Sequence, residues 1–210
     1  RASTRQKGAL SFPVVGCMTE DASGRLWIST EGGGLNIYDR KTQEFSRFGG
    51  IPTANIKALH FDRRRNTMWV GSHLVGLYRV DLASGRVSNY RNIRNDRTSL
   101  PDDIVRDIIE YNGRIIVATQ NGVASINPDE GGKPRFARIL PKERLLAVPS
   151  LCIDRHNQLW IATDGNGVYR YDLHTGRHTH FVHKTGDTTT ISNNYVCHIT
   201  KDRLGRVWLS

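Results

Sequence analysis

Five passages of this chain spell one sentence in variant forms. They are Gly24-Arg25-Leu26-Trp27-Ile28-Ser29-Thr30, Thr67-Met68-Trp69-Val70-Gly71-Ser72, the weaker Gly113-Arg114-Ile115-Ile116-Val117-Ala118-Thr119, Gln158-Leu159-Trp160-Ile161-Ala162-Thr163 and Gly205-Arg206-Val207-Trp208-Leu209-Ser210. The tryptophan slot, filled by Ile116 in the third copy, recurs after 42, 47, 44 and 48 residues. A β-rich unit at this period is the sequence form of a propeller blade.

Each copy follows one plan of four short strands, a to d, clearest in the fourth. Val148 to Ile153 is apolar, Asp154-Arg155-His156-Asn157 is a turn, and Leu159 to Thr163 is strand b. Gly167 to Tyr171 is strand c, and Asp172-Leu173-His174-Thr175-Gly176 turns the chain into strand d, Arg177 to Val182. Asp opens such turns by accepting backbone N–H bonds, and Gly closes them by accepting positive φ. Strand b is apolar at consecutive positions, so both of its faces are buried, as a sheet packed between two neighbours requires. The tryptophans therefore read as interblade core rather than as a stacking platform. No stretch shows sustained helical periodicity, the nearest being the short run Pro141 to Val148. The fold expected is all-β: a propeller of four-stranded antiparallel blades.

Four copies are complete, with boundaries at 15–55, 56–104, 105–147 and 148–195, and residues 196–210 supply only the first half of a fifth. Residues 1–14 have room for one strand of a preceding blade. A ring ending in half a blade leaves a sheet edge open, so the chain is expected to be an incomplete set of about four and a half blades from a larger propeller. It shows no signal peptide, membrane-spanning run or lipidation motif. Cys17, Cys152 and Cys197 lie in apolar strand contexts and are expected to be buried free thiols. The net charge of +10 raises the question of a polyanionic partner. Propeller geometry puts the b–c turns and d–a loops on one face, here called the top. Arg91, Arg94, Arg97, Arg138, Lys142, Arg144 and Lys184 are balanced there by Glu31, Asp96, Asp102, Asp103, Glu143, Asp164 and Asp187. On the opposite face Arg63-Arg64-Arg65, Arg155 and Arg203 alternate with turn aspartates. No basic stripe emerges, so direct nucleic-acid binding is not expected.

Motifs for chemistry are sparse. Glu31-Gly32-Gly33-Gly34 and Asp164-Gly165-Asn166-Gly167 lack the Lys-Ser/Thr and the helix of a phosphate loop, and read as b–c hairpin turns. His178 and His180 share a strand face, as a metal pair would, but have no third ligand nearby in sequence; no metal and no cofactor is expected. Asp21, Asp62, Asp154 and Asp202 recur once per blade, which marks turn residues rather than a catalytic pair. Lys184-Thr185-Gly186 has no Ser-x-x-Lys partner.

The pattern Val-x-x-Ile-x-x-Asp-x-x-Gly-x-Leu-Trp-Ile-x-Thr-x-x-Gly-Gly-Leu-x-x-Tyr-Asp resembles the two-component regulator propeller repeat. Val15 to Asp39 fits nearly throughout, Val148 to Asp172 well, Ile56 to Asp81 tolerably, Val105 to Asn127 poorly at the tryptophan, and Val196 to Ser210 as far as it runs. The polar d–a loops Tyr90 to Asp103 and His183 to Asn194 are also similar to that family's. The resemblance implies the periplasmic sensor region of a hybrid two-component system, recognising an oligosaccharide and signalling to a histidine kinase that lies outside this chain, with any membrane contact made by absent parts. It also implies partnership with the remaining blades and domains. A propeller is stiff, so binding is expected to change how two sensor chains pair in a homodimer rather than to deform one ring. It carries over no binding residue.

Ligand contact is expected from top-face loops, which vary without disturbing the stack. The candidates are His73, Arg94, Arg97, Lys142, Arg144, Asn166 and Lys184, with Arg91 to Arg97 favoured for an acidic sugar because guanidinium forks a carboxylate or sulfate. No catalytic residue is expected. The alternatives are a propeller polysaccharide lyase or hydrolase, which needs a non-repeated polar cluster near the axis, and a protein-interaction scaffold.

Overall fold

In the computed structural model, residues 8–131, 133–143, 145 and 147–210 are described. They form eighteen β-strands and no helix, so no helix among them is long and apolar enough to cross a membrane. Sheet one contains β1 (Val15–Glu20), β2 (Leu26–Thr30), β3 (Gly34–Asp39) and β4 (Glu44–Phe48); sheet two β5 (Ile56–Asp62), β6 (Thr67–Ser72), β7 (Leu77–Asp81) and β8 (Val87–Tyr90). Sheet three contains β9 (Val105–Tyr111), β10 (Arg114–Thr119), β11 (Gly122–Ile126) and β12 (Phe136–Ile139); sheet four β13 (Leu151–Ile153), β14 (Gln158–Ala162), β15 (Val168–Asp172) and β16 (His178–Phe181). A two-stranded sheet, β17 (Ile199–Lys201) and β18 (Val207–Leu209), follows. Every sheet is an antiparallel meander with its strands in chain order. The first strands pack on one another in sequence, β1 on β5, β5 on β9, β9 on β13 and β13 on β17, which makes them the inner, axial strands. The molecule is a β-propeller arc.

The core lies between blades. Trp27 packs with Met68, Val70, Tyr78 and Val80 of sheet two, and Trp69 with Ile115, Val117 and Phe136 of sheet three. Ile116 packs with Leu159, Ile161 and Tyr169 of sheet four, and Trp160 with Val207 of the last sheet. The slot is thus interblade core through four copies, and Trp208, with no sheet beyond it, is 54% exposed. Its counterpart at the other end is β1, where Met18 is 60% exposed. Three of the four slot tryptophans also meet an aromatic ring at the end of strand d: Phe48 on Trp27, Tyr90 on Trp69 and Phe181 on Trp160. In sheet three Ile116 is matched by the aliphatic Ile139 in that place.

The recurrent turn aspartates have a task the spacing did not disclose. Asp21 accepts the N–H groups of Ser23 and Arg25 on one oxygen and the Arg25 Nε–H and Trp27 Nε1–H, both at 2.9 Å, on the other. Asp154 and Asp202 hold Trp160 and Trp208 the same way, at 2.8 and 3.1 Å. Burial alone would raise the Asp21 carboxyl, but the bonds from Ser23, Trp27 and Arg25 outweigh it and hold it at about 2. Sheet two carries one extra turn residue, so Asp62 spends its oxygens on Arg65. Trp69 Nε1 is left without a hydrogen-bond partner among the described residues. Trp27→Phe should therefore cost at least about 2 kcal/mol more than Trp69→Phe, because only the first loses a charge-assisted bond while the second removes an unsatisfied donor. Equal losses in urea denaturation would remove this account.

Cys152 is buried, Cys17 is partly buried, and Cys197 is exposed, contrary to expectation. The reason is a bulge at the axial end of its strand, described below.

Candidate functional site

The sheets carry one irregularity at the same place. In sheet two the pairing jumps from Ile56↔Ser72 to Ala58↔Gly71, leaving Lys57 as an extra residue, and in sheet three from Val105↔Thr119 to Asp107↔Ala118, leaving Arg106. Sheet one shifts between Val15 and Met18. In the last copy the N–H groups of Cys197 and His198 both donate to the carbonyl of Ser210. In sheet four this slot is Pro149, which has no N–H to place in a ladder, and regular pairing starts only at Leu151 although the sequence reads as strand from Val148. A bulge turns a side chain out of the pleat, and such bulges occur beside functional sites. Here they turn Lys57, Arg106 and Cys197 out of the ladder on the inner strands.

Opposite the bulge stands a second fixed slot, the residue after strand b. Its N–H donates to the carbonyl preceding the axial strand in all four complete sheets: Glu31 to Val14, His73 to Asn55, Gln120 to Ile104 and Asp164 to Ala147, at 2.9 to 3.0 Å. The backbone is constant and the side chain differs in every blade. Glu31 pairs with Lys57 of the next blade at 3.1 Å, and Gln120 Oε1 accepts from Arg106 Nε at 2.8 Å and from its Nη2. The side chains of His73 and Asp164 have no hydrogen-bond or ion-pair partner among the described residues. Asp164 bridges to Tyr195, which is 64% exposed and lays its ring against Gly165. Next to His73, Leu74 is 58% exposed at φ +78°, a conformation a γ-branched side chain takes only under constraint from its surroundings. The upper axial rim thus displays one hydrogen-bonding group per blade, two of them paired with cations and two free, with a tyrosine face and a strained leucine beside the free pair.

The b–c turns frame this rim. Gly34, Gly76 and Gly167, all at positive φ, donate to the carbonyls of Ala54, Asp103 and Asn194 at the ends of the d–a loops. Hairpin turn, not phosphate loop, is their role.

Of the residues proposed from sequence, His73 belongs to the rim. Asn166 lies in the adjoining turn, where its side chain donates to the Tyr169 hydroxyl at 3.0 Å and its carbonyl bonds His180 Nε2 at 2.7 Å, so it is engaged in the fold. Arg94, Lys142 and Lys184 are exposed on the outer loops, and Arg144 lies outside the described residues. Arg97 lines a cavity with Arg138. His178 faces Glu143 at 3.5 Å and His180 stacks on Tyr169 at 4.0 Å, and no cluster of three metal-binding side chains occurs among the described residues. Sequence reasoning missed Lys57, Arg106 and Tyr195. Tyr195 was detectable as the one aromatic in a slot that is otherwise Val14, Asn55, Ile104 and Ala147.

This frame can be set beside known proteins. Residues 9–32 match the family described as two component regulator propeller. No curated relative matches the sequence. Among solved structures, the extracellular domain of hybrid two component system BT3049 from B. thetaiotaomicron superposes with TM-score 0.74 at 22% identity, over 95% of this chain and 28% of that one. PorZ, a surface component of the type-IX secretion system of Porphyromonas gingivalis, gives 0.73 at 14%, over 93% and 30%. Virginiamycin B lyase from Staphylococcus aureus gives 0.70 at 20%, over 98% and 64%. The chain spans less than a third of the first of these structures. At these identities the likeness shows the fold, a β-propeller, and the match to the repeat family covers residues 9–32.

Proposed function

We propose that this chain is part of the ligand-recognising propeller of a periplasmic sensor in a hybrid two-component system. In this reading it binds an oligosaccharide at the axial rim without turning it over, and signals through a kinase on another part of the protein. The observation that carries the reading is the ring of constant backbone and varied polar side chains, Glu31, His73, Gln120 and Asp164, with Tyr195 exposed at its edge. Saccharides are recognised by such a combination of hydrogen-bonding groups and an aromatic face. The repeat match and the likeness to sensor extracellular domains support the setting. The further blades of the protein would cover the open faces at Met18 and Trp208, and pairing of two sensors would carry the signal past a stiff ring.

The likeness to a lyase keeps a second reading, catalysis at the axis. The axial polar groups weigh against it, because Asp107 and Ser150 are occupied in holding backbone amides of Ile108, Leu151 and Ile199. His73→Ala and Asp164→Ala should each weaken oligosaccharide binding by about tenfold, the worth of one lost bond to a charged or polar group, with little change in stability because neither side chain has a partner to lose. Titration with neutral and acidic oligosaccharides, followed by chromatography of the mixture, separates the readings. Binding with intact sugar supports the sensor; released product supports the lyase.

A further inference from the structure

A second feature of the top face stands apart from the axial rim. Arg97, in the loop after sheet two, and Arg138, on β12, line one cavity of about 270 Å3, with Asn121 of the b–c turn and Glu143 on its wall. Arg138 is half-buried and Arg97 is exposed, and neither guanidinium makes a hydrogen bond or ion pair among the described residues, whereas the half-buried Arg65 binds both Asp62 and Asp129. The nearby carboxylates are already engaged. Asp96 accepts from the Thr98 N–H and O–H and faces Lys133, and Glu143 faces His178 at 3.5 Å and accepts from the Tyr169 hydroxyl at 3.4 Å. Burial, and next the charge of Arg97, push the Arg138 guanidinium below its usual range, while Asp96 acts in the opposite direction. Two like charges held in one concave site are unfavourable in the empty protein and are relieved by an anion between them.

We propose that the Arg97–Arg138 cavity binds an oxyanion, a carboxylate or sulfate, with the two guanidinium forks as donors. Guanidinium is suited to this task because its planar N–H pairs match two oxygens of such a group. The proposal does not depend on the axial rim. The anion has two sources, free in solution or carried on a saccharide, and the experiment separates them.

Calorimetric titrations of the whole protein that carries this chain would use sodium sulfate, a sulfated disaccharide and its unsulfated counterpart, with wild type, Arg97→Gln and Arg138→Gln. Saturable binding of sulfate or of the sulfated sugar, weakened about tenfold or more in each variant, is the expected result. Equal affinity for both ligands identifies a free-anion site, and tighter binding of the sulfated sugar identifies a substituent site. Each variant relieves the repulsion, so its melting temperature should be no lower than that of the wild type without anion, which keeps misfolding from imitating loss of the site. Absence of saturable binding by either anionic ligand, or binding unchanged in both variants, overturns the proposal. Affinity for the unsulfated sugar reports on the axial rim, so failure of one reading is visible apart from the other.

Discussion

An alanine at Gly167 is expected to destabilise the protein by about 4 kcal/mol or more, the range reserved for backbone clashes in ordered sites. Its Cβ would lie 2.1 Å from the carbonyl oxygen of Phe181, a backbone atom that sheet pairing between Val168 and Phe181 holds in place. The residue also sits at φ +70°, and its own N–H and C=O are engaged with Asn194 and Thr163. Two other glycines grade the effect. Gly186 has positive φ but open space, so alanine there should cost about 1 kcal/mol, the left-handed penalty alone. Gly49 has neither constraint, and alanine there should change stability by less than about 0.5 kcal/mol. Urea midpoints for the three variants check the order; Gly167→Ala no worse than Gly186→Ala would show that the turn is not held against strand d. Because that turn also places Asp164, the same variant should disturb the rim.

Asp107→Ala is expected to cost about 3 kcal/mol at neutral pH. One carboxylate oxygen accepts the Ile108 N–H at 2.8 Å and the other the Leu151 N–H of the next blade at 2.7 Å, and both residues are buried. Leaving two buried donors unpaired costs about 1 to 3 kcal/mol each. Ser150 performs the same act one blade on, accepting the Ile199 N–H at 3.1 Å, so a short polar side chain stitches each axial strand to its successor there. Asp107→Asn should recover only part of the loss, since an amide offers one acceptor and turns a donor toward the other N–H. The pH dependence carries a distinguishing sign. Burial, outweighing the two amide bonds, pushes the Asp107 carboxyl above 3.8, so its folded form holds the proton more tightly than the unfolded chain. As pH rises from 3.8 through that raised value, this group withdraws stability, and Asp107→Ala removes the withdrawal. Asp21 acts oppositely: its contribution is full above 3.8 and is lost as pH falls toward about 2. Comparing the pH slopes of wild type, Asp107→Ala and Asp21→Ala checks both signs; the same slope in both variants would contradict them.

What the repeat made readable was whatever every blade must do alike. The tryptophan slot, the turn aspartates and the hairpin glycines recur because stacking and turn geometry demand them in each copy, and the structure assigns them those roles. The readings failed where a side chain's meaning depended on a neighbour distant in sequence. Lys57 and Arg106 look like ordinary polar residues of a strand until the pairing shows them bulged. Arg97 reads with Arg94 as part of one loop, and nothing local in sequence discloses that it lines a cavity with Arg138, about forty residues away. Trp69 resembles Trp27 in every local respect, and one extra residue between Asp62 and Trp69 deprives its indole of a partner. Cys197 reads as a strand thiol because its neighbours are apolar, while the shared acceptor Ser210 turns it out.

The central claim is that the axial rim is where this protein meets its ligand. The most direct test is calorimetric titration of the whole protein with an oligosaccharide panel, comparing wild type with a variant carrying Lys57→Gln, His73→Ala, Arg106→Gln and Asp164→Ala. The account predicts saturable binding by wild type and loss of at least about a hundredfold in the variant, whose urea transition stays cooperative although the Lys57–Glu31 and Arg106–Gln120 contacts are removed. Wild-type binding that survives in a folded variant, or no binding across the panel, would contradict it.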